Sequence, residues 1–175
     1  IAPYVIDNSL CISYLTIENR GPIPHHLRPQ MLDWVFGCDI CQEVCPVNVK
    51  AMYSQEQAFQ KRRFTVLELV ELLEMTGEQF NQRFSKSPIK RAKLIGLQRN
   101  ACVALGNIGD RAAVPALIFA MKWRDPLVRG HSAWALGKIG GDTAMIALQQ
   151  ALDVEADPEV ISEIDIALGK RLIEE

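Results

Sequence analysis

Three closely spaced cysteines are the residues of this sequence best suited to bind a metal ion or an iron–sulfur cluster. They lie in the run Cys38-Asp-Ile-Cys41-Gln-Glu-Val-Cys45-Pro46, and Cys11 lies 27 residues before Cys38. A two-residue gap lets neighbouring thiolates converge on one cluster, and a cysteine followed by proline is typical of bacterial ferredoxin motifs. One cysteine of the usual local four is missing here, and Cys11 is the obvious substitute.

A zinc site is the alternative to a cluster. Tetrahedral zinc could be bound by the same three cysteines together with Cys11, or with His25 or His26 from a proline-flanked loop. The simplest interpretation of the two histidines is exposed loop polarity. Cys102, the fifth cysteine, is predicted to be a small buried core residue. An odd number of cysteines also argues against a disulfide scaffold.

The cysteines lie in a loop-rich segment that precedes a helical one. Residues 1 to about 50 are crowded with glycine, proline and cysteine, which disfavours long regular elements. Farther on, an Ala-Leu-Gly triplet begins at Ala104, Ala135 and Ala167, with spacings of 31 and 32 residues. A period near 30 with two helices per unit is typical of an α-solenoid of HEAT-like helix pairs. We assign the glycine of each triplet to a left-handed helix C-cap.

The sequence therefore predicts a mainly α protein in three parts. We expect an iron–sulfur segment over residues 1–50, connecting helices over 51–87, and a HEAT-like repeat domain without strands over 88–175. Trp134 aligns with Val103 and Ile166 between repeats, so it is predicted to be a packing residue. No apolar run approaches the roughly 20 residues of a membrane span, and no signal peptide pattern is present, which predicts a cytoplasmic protein.

The cysteine-bearing phrases are similar to epoxyqueuosine reductases. The similar phrases are Cys11-Ile-Ser-Tyr-Leu-Thr-Ile-Glu18, Gly21-Pro-Ile-Pro and Phe36-Gly-Cys-Asp-Ile-Cys-Gln-Glu-Val-Cys-Pro46, and residues 87–109 resemble the helical extension of the same family. The resemblance implies the C-terminal portion of a cobalamin- and [4Fe–4S]-dependent reductase that converts epoxyqueuosine to queuosine in tRNA. It also implies that the cobalamin domain, the catalytic acid and a first cysteine motif lie upstream of this sequence, so that no catalytic residue is expected within it.

The same resemblance implies roles for individual residues. Cys11, Cys38 and Cys41 would bind one cluster together with an upstream cysteine, and Cys45 would complete a second cluster. Electrons from an external donor would pass through the clusters to cobalamin, near which we expect Gln42. Because neither cluster has its full ligand set here, the fragment alone is expected to be inactive.

The resemblance to this family suggests a function for a stretch of basic residues. No acidic residue occurs between Glu78 and Asp110, although the net charge is −2. On a helix beginning near Pro88, a basic face could contact successive tRNA phosphates, whereas a solvated face is the alternative. The predicted tRNA-binding residues are Lys90, Arg91, Lys93 and Arg99.

Two other functions compete with this one. The first is a ferredoxin-type electron-transfer module fused to a HEAT protein-interaction scaffold, and the second is a zinc-stabilised HEAT scaffold.

Overall fold

The computed structural model describes residues 5–52, 54–56 and 66–170, and over these residues the chain forms helices and no strand. This confirms the prediction of a mainly α protein with a loop-rich beginning. The α-helices of the described ranges are α1 (Ile12–Ile17), α2 (Ile40–Glu43), α3 (Val66–Glu74), α4 (Gly77–Arg83), α5 (Lys93–Ile108), α6 (Val114–Trp123), α7 (Pro126–Ile139), α8 (Asp142–Leu152) and α9 (Pro158–Ala167). Short 3₁₀ turns lie between several of them. None of the described helices is long and apolar enough to cross a membrane.

Two of the three first helices, α7 and α9, begin at side-chain caps that the sequence supplies. The Asp125 carboxylate accepts a hydrogen bond from the amide of Leu127 at 3.0 Å, and Pro126 occupies the first turn of α7. Asp157 caps α9 in the same way. An aspartate before proline satisfies an amide that has no partner within the helix, and the proline ring already has a helical φ. The two Asp-Pro pairs therefore mark the start of two successive repeats.

The first helices α5, α7 and α9 pack side by side through the glycines of the Ala-Leu-Gly triplets. A Cβ atom on Gly106 would lie 3.0 Å from the Cα of Ala135, and one on Gly137 would lie 3.0 Å from the Cα of Ala167. The C-cap assignment is therefore wrong for these two glycines, since they lie inside α5 and α7 and allow the next helix to approach closely.

The left-handed positions fall a few residues later. Gly109 ends α5 with a φ of 74° and Gly140 ends α7 with a φ of 68°. Only in the last triplet does the glycine itself, Gly169, take a positive φ, of 71°.

The apolar core lies mainly in the helical part of the chain. One cluster of buried side chains comprises Val35 and residues between Leu69 and Ile164, and it includes Cys102, whose thiol lies 3.2 Å from the Ser132 hydroxyl. Burial raises the pKa of Cys102 to about 12, so it is the inert core residue that was predicted. We call the loop-rich segment that contains Cys11, Cys38, Cys41 and Cys45 the cysteine-bearing segment. A second, small cluster joins it to α5 and α7, and half-buried Trp134 packs against both clusters.

Candidate iron–sulfur centre

The four candidate cysteines lie at the boundaries of short elements. Cys11 is the residue before α1, Cys38 follows Gly37 (φ 73°), Cys41 lies within α2, and Cys45 follows α2. All four are free thiols, with Cys41 exposed and the others half-buried. Because iron–sulfur clusters are bound through cysteine thiolates, this donor set has the chemistry that a cluster needs.

The thiols do not form a complete metal site by themselves. Over the described ranges, no three side chains among His, Cys, Asp and Glu are grouped so that they could bind a metal ion. The division of Cys11, Cys38, Cys41 and Cys45 between two clusters therefore stays a prediction.

Gln42 closes the loop around α2. Its backbone carbonyl and its side-chain oxygen accept hydrogen bonds from the Asn48 amide group at 3.0 and 3.2 Å. Both residues are exposed, so Gln42 lies at the surface beside Cys41. Its contact with cobalamin stays a prediction.

The two histidines differ in their surroundings. His26 is exposed, whereas His25 is half-buried, with its Nε2 3.1 Å from a carboxylate oxygen of Glu163. The interpretation as exposed loop polarity therefore fails for His25. Since its Nε2 faces Glu163 in α9, this histidine belongs to a polar contact with the last repeat.

Three polar side chains of the repeats contact the cysteine-bearing segment, and the repeat alignment places them at one equivalent position. Asn100, His131 and Glu163 each lie three residues after the first aligned residue of their repeat, and we call them the polar row. The Asn100 amide donates to the carbonyls of Thr16 and Val35, both at 2.8 Å. The sequence signal for this row was a polar residue that recurs at the same position of the three aligned repeats.

The other two members of the polar row contact the loop before α2. The amide of Ile23 donates to His131 Nε2 at 3.1 Å, so the other ring nitrogen carries the proton and donates to the Leu127 carbonyl at 2.7 Å. Glu163 accepts two hydrogen bonds from the buried guanidinium of Arg28, at 2.9 and 2.6 Å. The polar row therefore holds the part of the segment between Thr16 and Val35.

Burial and charge shift the pKa of both residues. Burial, reinforced by the charge of Arg28, lowers the pKa of His131 to about 3. Burial alone would raise the pKa of Glu163, but hydrogen bonds from Arg28 and His25 outweigh it and lower that pKa to about 2. His131 is therefore neutral and Glu163 ionised over the physiological pH range.

Arg99, predicted to bind tRNA, is instead part of this internal contact. Its side chain is fully buried and donates to the carbonyls of Leu15 at 2.6 Å and Gly21 at 2.7 Å. Burial, together with the charge of Arg20, lowers the pKa of Arg99 to about 10. The prediction is wrong for this residue, because a buried guanidinium with protein acceptors cannot reach a phosphate.

The other predicted tRNA-binding residues lie at the surface. Lys90 and Arg91 belong to the 3₁₀ turn Pro88–Ala92, and α5 begins only at Lys93, so the helix predicted from Pro88 starts later than expected. The three side chains are exposed, and Arg91 pairs with Glu18. We call Lys90, Arg91 and Lys93 the basic turn.

Two family models match the chain. A family described as "4Fe-4S double cluster binding domain" matches residues 1–48, and one described as "HEAT repeats" matches residues 92–169. The first match identifies the cysteine-bearing segment as iron–sulfur binding, which favours a cluster over zinc.

Relatives and solved structures agree with these matches. Epoxyqueuosine reductase of Bacillus cereus is 36% identical over 93% of this chain and 43% of its own length, and that of Burkholderia pseudomallei is 43% identical over 78% and 37%. A crystal structure of epoxyqueuosine reductase with an epoxyqueuosine-modified tRNA stem loop superposes with a TM-score of 0.83 and 31% identity, covering 96% of this chain and 45% of that one. The chain thus spans about two fifths of the length of the curated relatives it matches. By sequence and by fold, it belongs to the epoxyqueuosine reductase family, as the part that joins an iron–sulfur segment to HEAT repeats.

Proposed function

We propose that this chain supplies cluster ligands and a tRNA-binding surface to a cytoplasmic reductase that converts epoxyqueuosine to queuosine in tRNA. The observation that carries the proposal is a free-thiol segment held on a HEAT solenoid, in the arrangement of a reductase crystallised with an epoxyqueuosine-modified stem loop. The division of the chain at residues 50 and 87 is part of the proposal.

The chemistry explains why cysteine ligands are needed. Deoxygenation of an epoxide to an alkene consumes two electrons and two protons, and the oxygen leaves as water. Cobalamin would supply the reactive reduced cobalt, and two [4Fe–4S] clusters would deliver electrons to it one at a time. This chain's part is to position Cys11, Cys38 and Cys41 at one cluster and Cys45 at the other, and to keep both at a fixed place on the solenoid.

Exposed apolar side chains beside the cysteines support a covering domain. Val44 is 72% exposed, Val47 is 86% exposed and Val49 is 77% exposed, all within a few residues of Cys45. Apolar side chains grouped at a surface are a common sign of an interface. We propose that the cobalamin domain of the same full-length chain covers them and brings cobalamin near Gln42.

The basic turn would contact the tRNA backbone beside the cluster segment. Arg20 donates to the carbonyls of Arg91 at 2.8 Å and Ala92 at 3.3 Å, which fixes the basic turn against the end of α1. Cys11 lies at the opposite end of α1, about 9 Å away for six residues at 1.5 Å each. Phosphates bound by the basic turn would therefore place the nucleic acid close to the cluster ligands.

An activity assay on the full-length protein tests this proposal. The protein would be reconstituted anaerobically with iron, sulfide and cobalamin and given reductant and epoxyqueuosine-containing tRNA, and nucleosides would be measured by mass spectrometry. We expect loss of one oxygen from the modified nucleoside, with no conversion in Cys38→Ala and normal conversion in Cys102→Ala. Reduction of the clusters without tRNA binding or conversion would favour the ferredoxin-type module instead.

A further inference from the structure

A buried hydroxyl links the two chain segments that carry Cys11 and Cys38. Thr16 lies on α1 and is 1% exposed. Its Oγ1 donates to the carbonyl of Ile12 at 2.8 Å and accepts a hydrogen bond from the amide of Gly37 at 3.0 Å. Gly37 is the residue directly before Cys38, so this single oxygen ties the first turn of α1 to the approach to Cys38.

The amide of Asn100 holds the same two segments from the side of the solenoid. Its nitrogen donates to the carbonyls of Thr16 and Val35, and its oxygen accepts two hydrogen bonds from the Arg99 guanidinium, at 3.1 and 2.8 Å. The oxygen and nitrogen of the amide therefore both have defined partners. Because Asn100 is completely buried within α5, the repeat domain fixes the position of both segments.

These contacts connect the residue before Cys38 to the helix that Cys11 precedes. Cys11 directly precedes α1, a rigid helix on which Thr16 lies five residues later, about 7.5 Å along the axis. Apolar packing alone tolerates sliding of one segment along the other, whereas a hydrogen bond to one amide sets the register.

We propose that Thr16 and Asn100 are positioning residues for the cluster, setting the separation between Cys11 and Cys38. The inference rests on the proposed function, because it takes both cysteines as ligands of one cluster. Hydrogen-bonded groups that orient metal ligands typically change metal affinity or activity by about 10- to 100-fold when they are removed. Loss of the Thr16 hydroxyl should therefore change the stability and spectrum of the cluster, although the hydroxyl bonds to backbone groups and not to a thiol.

The experiment compares variants of the full-length protein with and without a hydroxyl at position 16. Thr16→Val keeps the shape and removes the acceptor for Gly37, Thr16→Ala removes it without a branched side chain, and Thr16→Ser keeps it. Asn107→Ala is the matched control, since Asn107 donates to the carbonyls of Arg28 and Leu32, in the same segment but away from the cysteines.

Cluster properties are measured apart from stability and activity. After anaerobic reconstitution, we would record iron and sulfide content, the rate of iron release to a chelator, and the electron paramagnetic resonance spectrum of the reduced protein. Thr16→Val and Thr16→Ala should release iron about tenfold faster with an altered spectrum, and Thr16→Ser should match the wild type. Asn107→Ala should lower the melting temperature and leave the spectrum unchanged.

Three results would overturn the inference or its basis. Wild-type iron release and spectrum in both hydroxyl-free variants would show that Thr16 has no positioning role. An equal spectral change in Asn107→Ala would show that docking of the whole segment, and not this contact, controls the cluster. Wild-type protein that binds neither iron nor sulfide would instead refute the proposed function.

Discussion

The repeat domain and the cysteine-bearing segment are held together by different interactions. The buried apolar cluster that unites α3 to α9 includes, from the cysteine-bearing segment, only Val35 among its described buried members. That segment shares a small apolar cluster with Val103 of α5, and polar contacts, including hydrogen bonds to the polar row and Arg99, provide much of its remaining attachment. Apolar packing is insensitive to metal and pH, whereas a polar attachment depends on charge and a ligand-bearing loop depends on its ligand.

The two regions can therefore be perturbed separately. Each repeat buries its apolar face against its neighbour, so the solenoid carries its stability internally. The loops around the cysteines place few side chains in a core and expose many apolar ones. A change in one region should therefore leave the other as an internal reference.

Cluster removal should have the largest effect. In full-length protein reconstituted with iron and sulfide, chelation should raise amide hydrogen exchange over residues 37–46 by about 100-fold or more, because ligand binding orders that loop. Amides of α5 and α7 should keep their protection. Loss of protection in both regions together would show that the solenoid depends on the cluster.

Acid should have the second-largest effect, by weakening the attachment of the cysteine-bearing segment to the repeats. Burial lowers the pKa of His131 from 6.5 to about 3 in the folded protein, so between these values the unfolded chain binds a proton that the folded one does not. Stability therefore falls as the pH falls from 6.5 towards 3. Two pH units below 6.5 correspond to about 2–3 kcal/mol at 1.36 kcal/mol per unit. Urea melts at pH 6.5 and 4.5 should show this loss in the wild type.

The matched variant for this test is His131→Gln, which has no titrating ring. We expect a lower stability at pH 6.5 but a smaller change on going to pH 4.5. Equal pH dependence in the two proteins would assign the effect to other groups.

A methyl group added between repeats should have a somewhat smaller effect. In Gly106→Ala, the new Cβ would meet the backbone of Ala135 at 3.0 Å and the Trp134 ring at 2.6 Å. Overpacking of this kind costs about 1–3 kcal/mol, part of which is offset by better helix propensity.

Gly96→Ala is the control, since Gly96 lies in the same helix and its added Cβ would meet nothing within 4 Å apart from its chain neighbours and the backbone of its own helix. It should stabilise the protein by up to about 1 kcal/mol in denaturant melts. If both variants changed stability by the same amount, the close-approach role of Gly106 would be wrong.

Charge reversal in the basic turn should weaken nucleic acid binding and leave both regions folded, because the Arg91–Glu18 pair that it breaks is exposed and contributes little to stability. The triple change of Lys90, Arg91 and Lys93 to glutamate should weaken tRNA binding for all sequences and lower the salt slope by roughly one per lost phosphate contact. Lys122→Glu, which lies on α6 outside the basic turn, is the control. An unchanged salt slope in the triple variant would show that these residues form a solvated surface that does not bind tRNA.

The sequence predicted the architecture well because the solenoid repeats itself. The recurring Ala-Leu-Gly triplets located the repeats, and the cysteine spacing located the iron–sulfur segment. The role predicted for the triplet glycines is wrong for Gly106 and Gly137. Alignment shows that these glycines occupy equivalent positions, but it does not show whether such a position ends a helix or contacts the neighbouring helix.

The sequence did not predict the contacts between residues that lie far apart in the chain. Arg99 has the same charge as its exposed neighbours, and only carbonyls about 80 positions earlier in the chain show that it is buried. The contacts of Asn100, His131 and Glu163 likewise depend on a loop whose path no periodicity specifies.

Metal analysis of the full-length protein, purified without oxygen, tests the central claim most directly. If the cysteine-bearing segment binds [4Fe–4S] clusters, iron and acid-labile sulfide should be present in nearly equal amounts, about eight of each for two clusters. The protein should be brown and should bleach with dithionite. A colourless protein with stoichiometric zinc and no sulfide would contradict the claim and favour the zinc-stabilised HEAT scaffold.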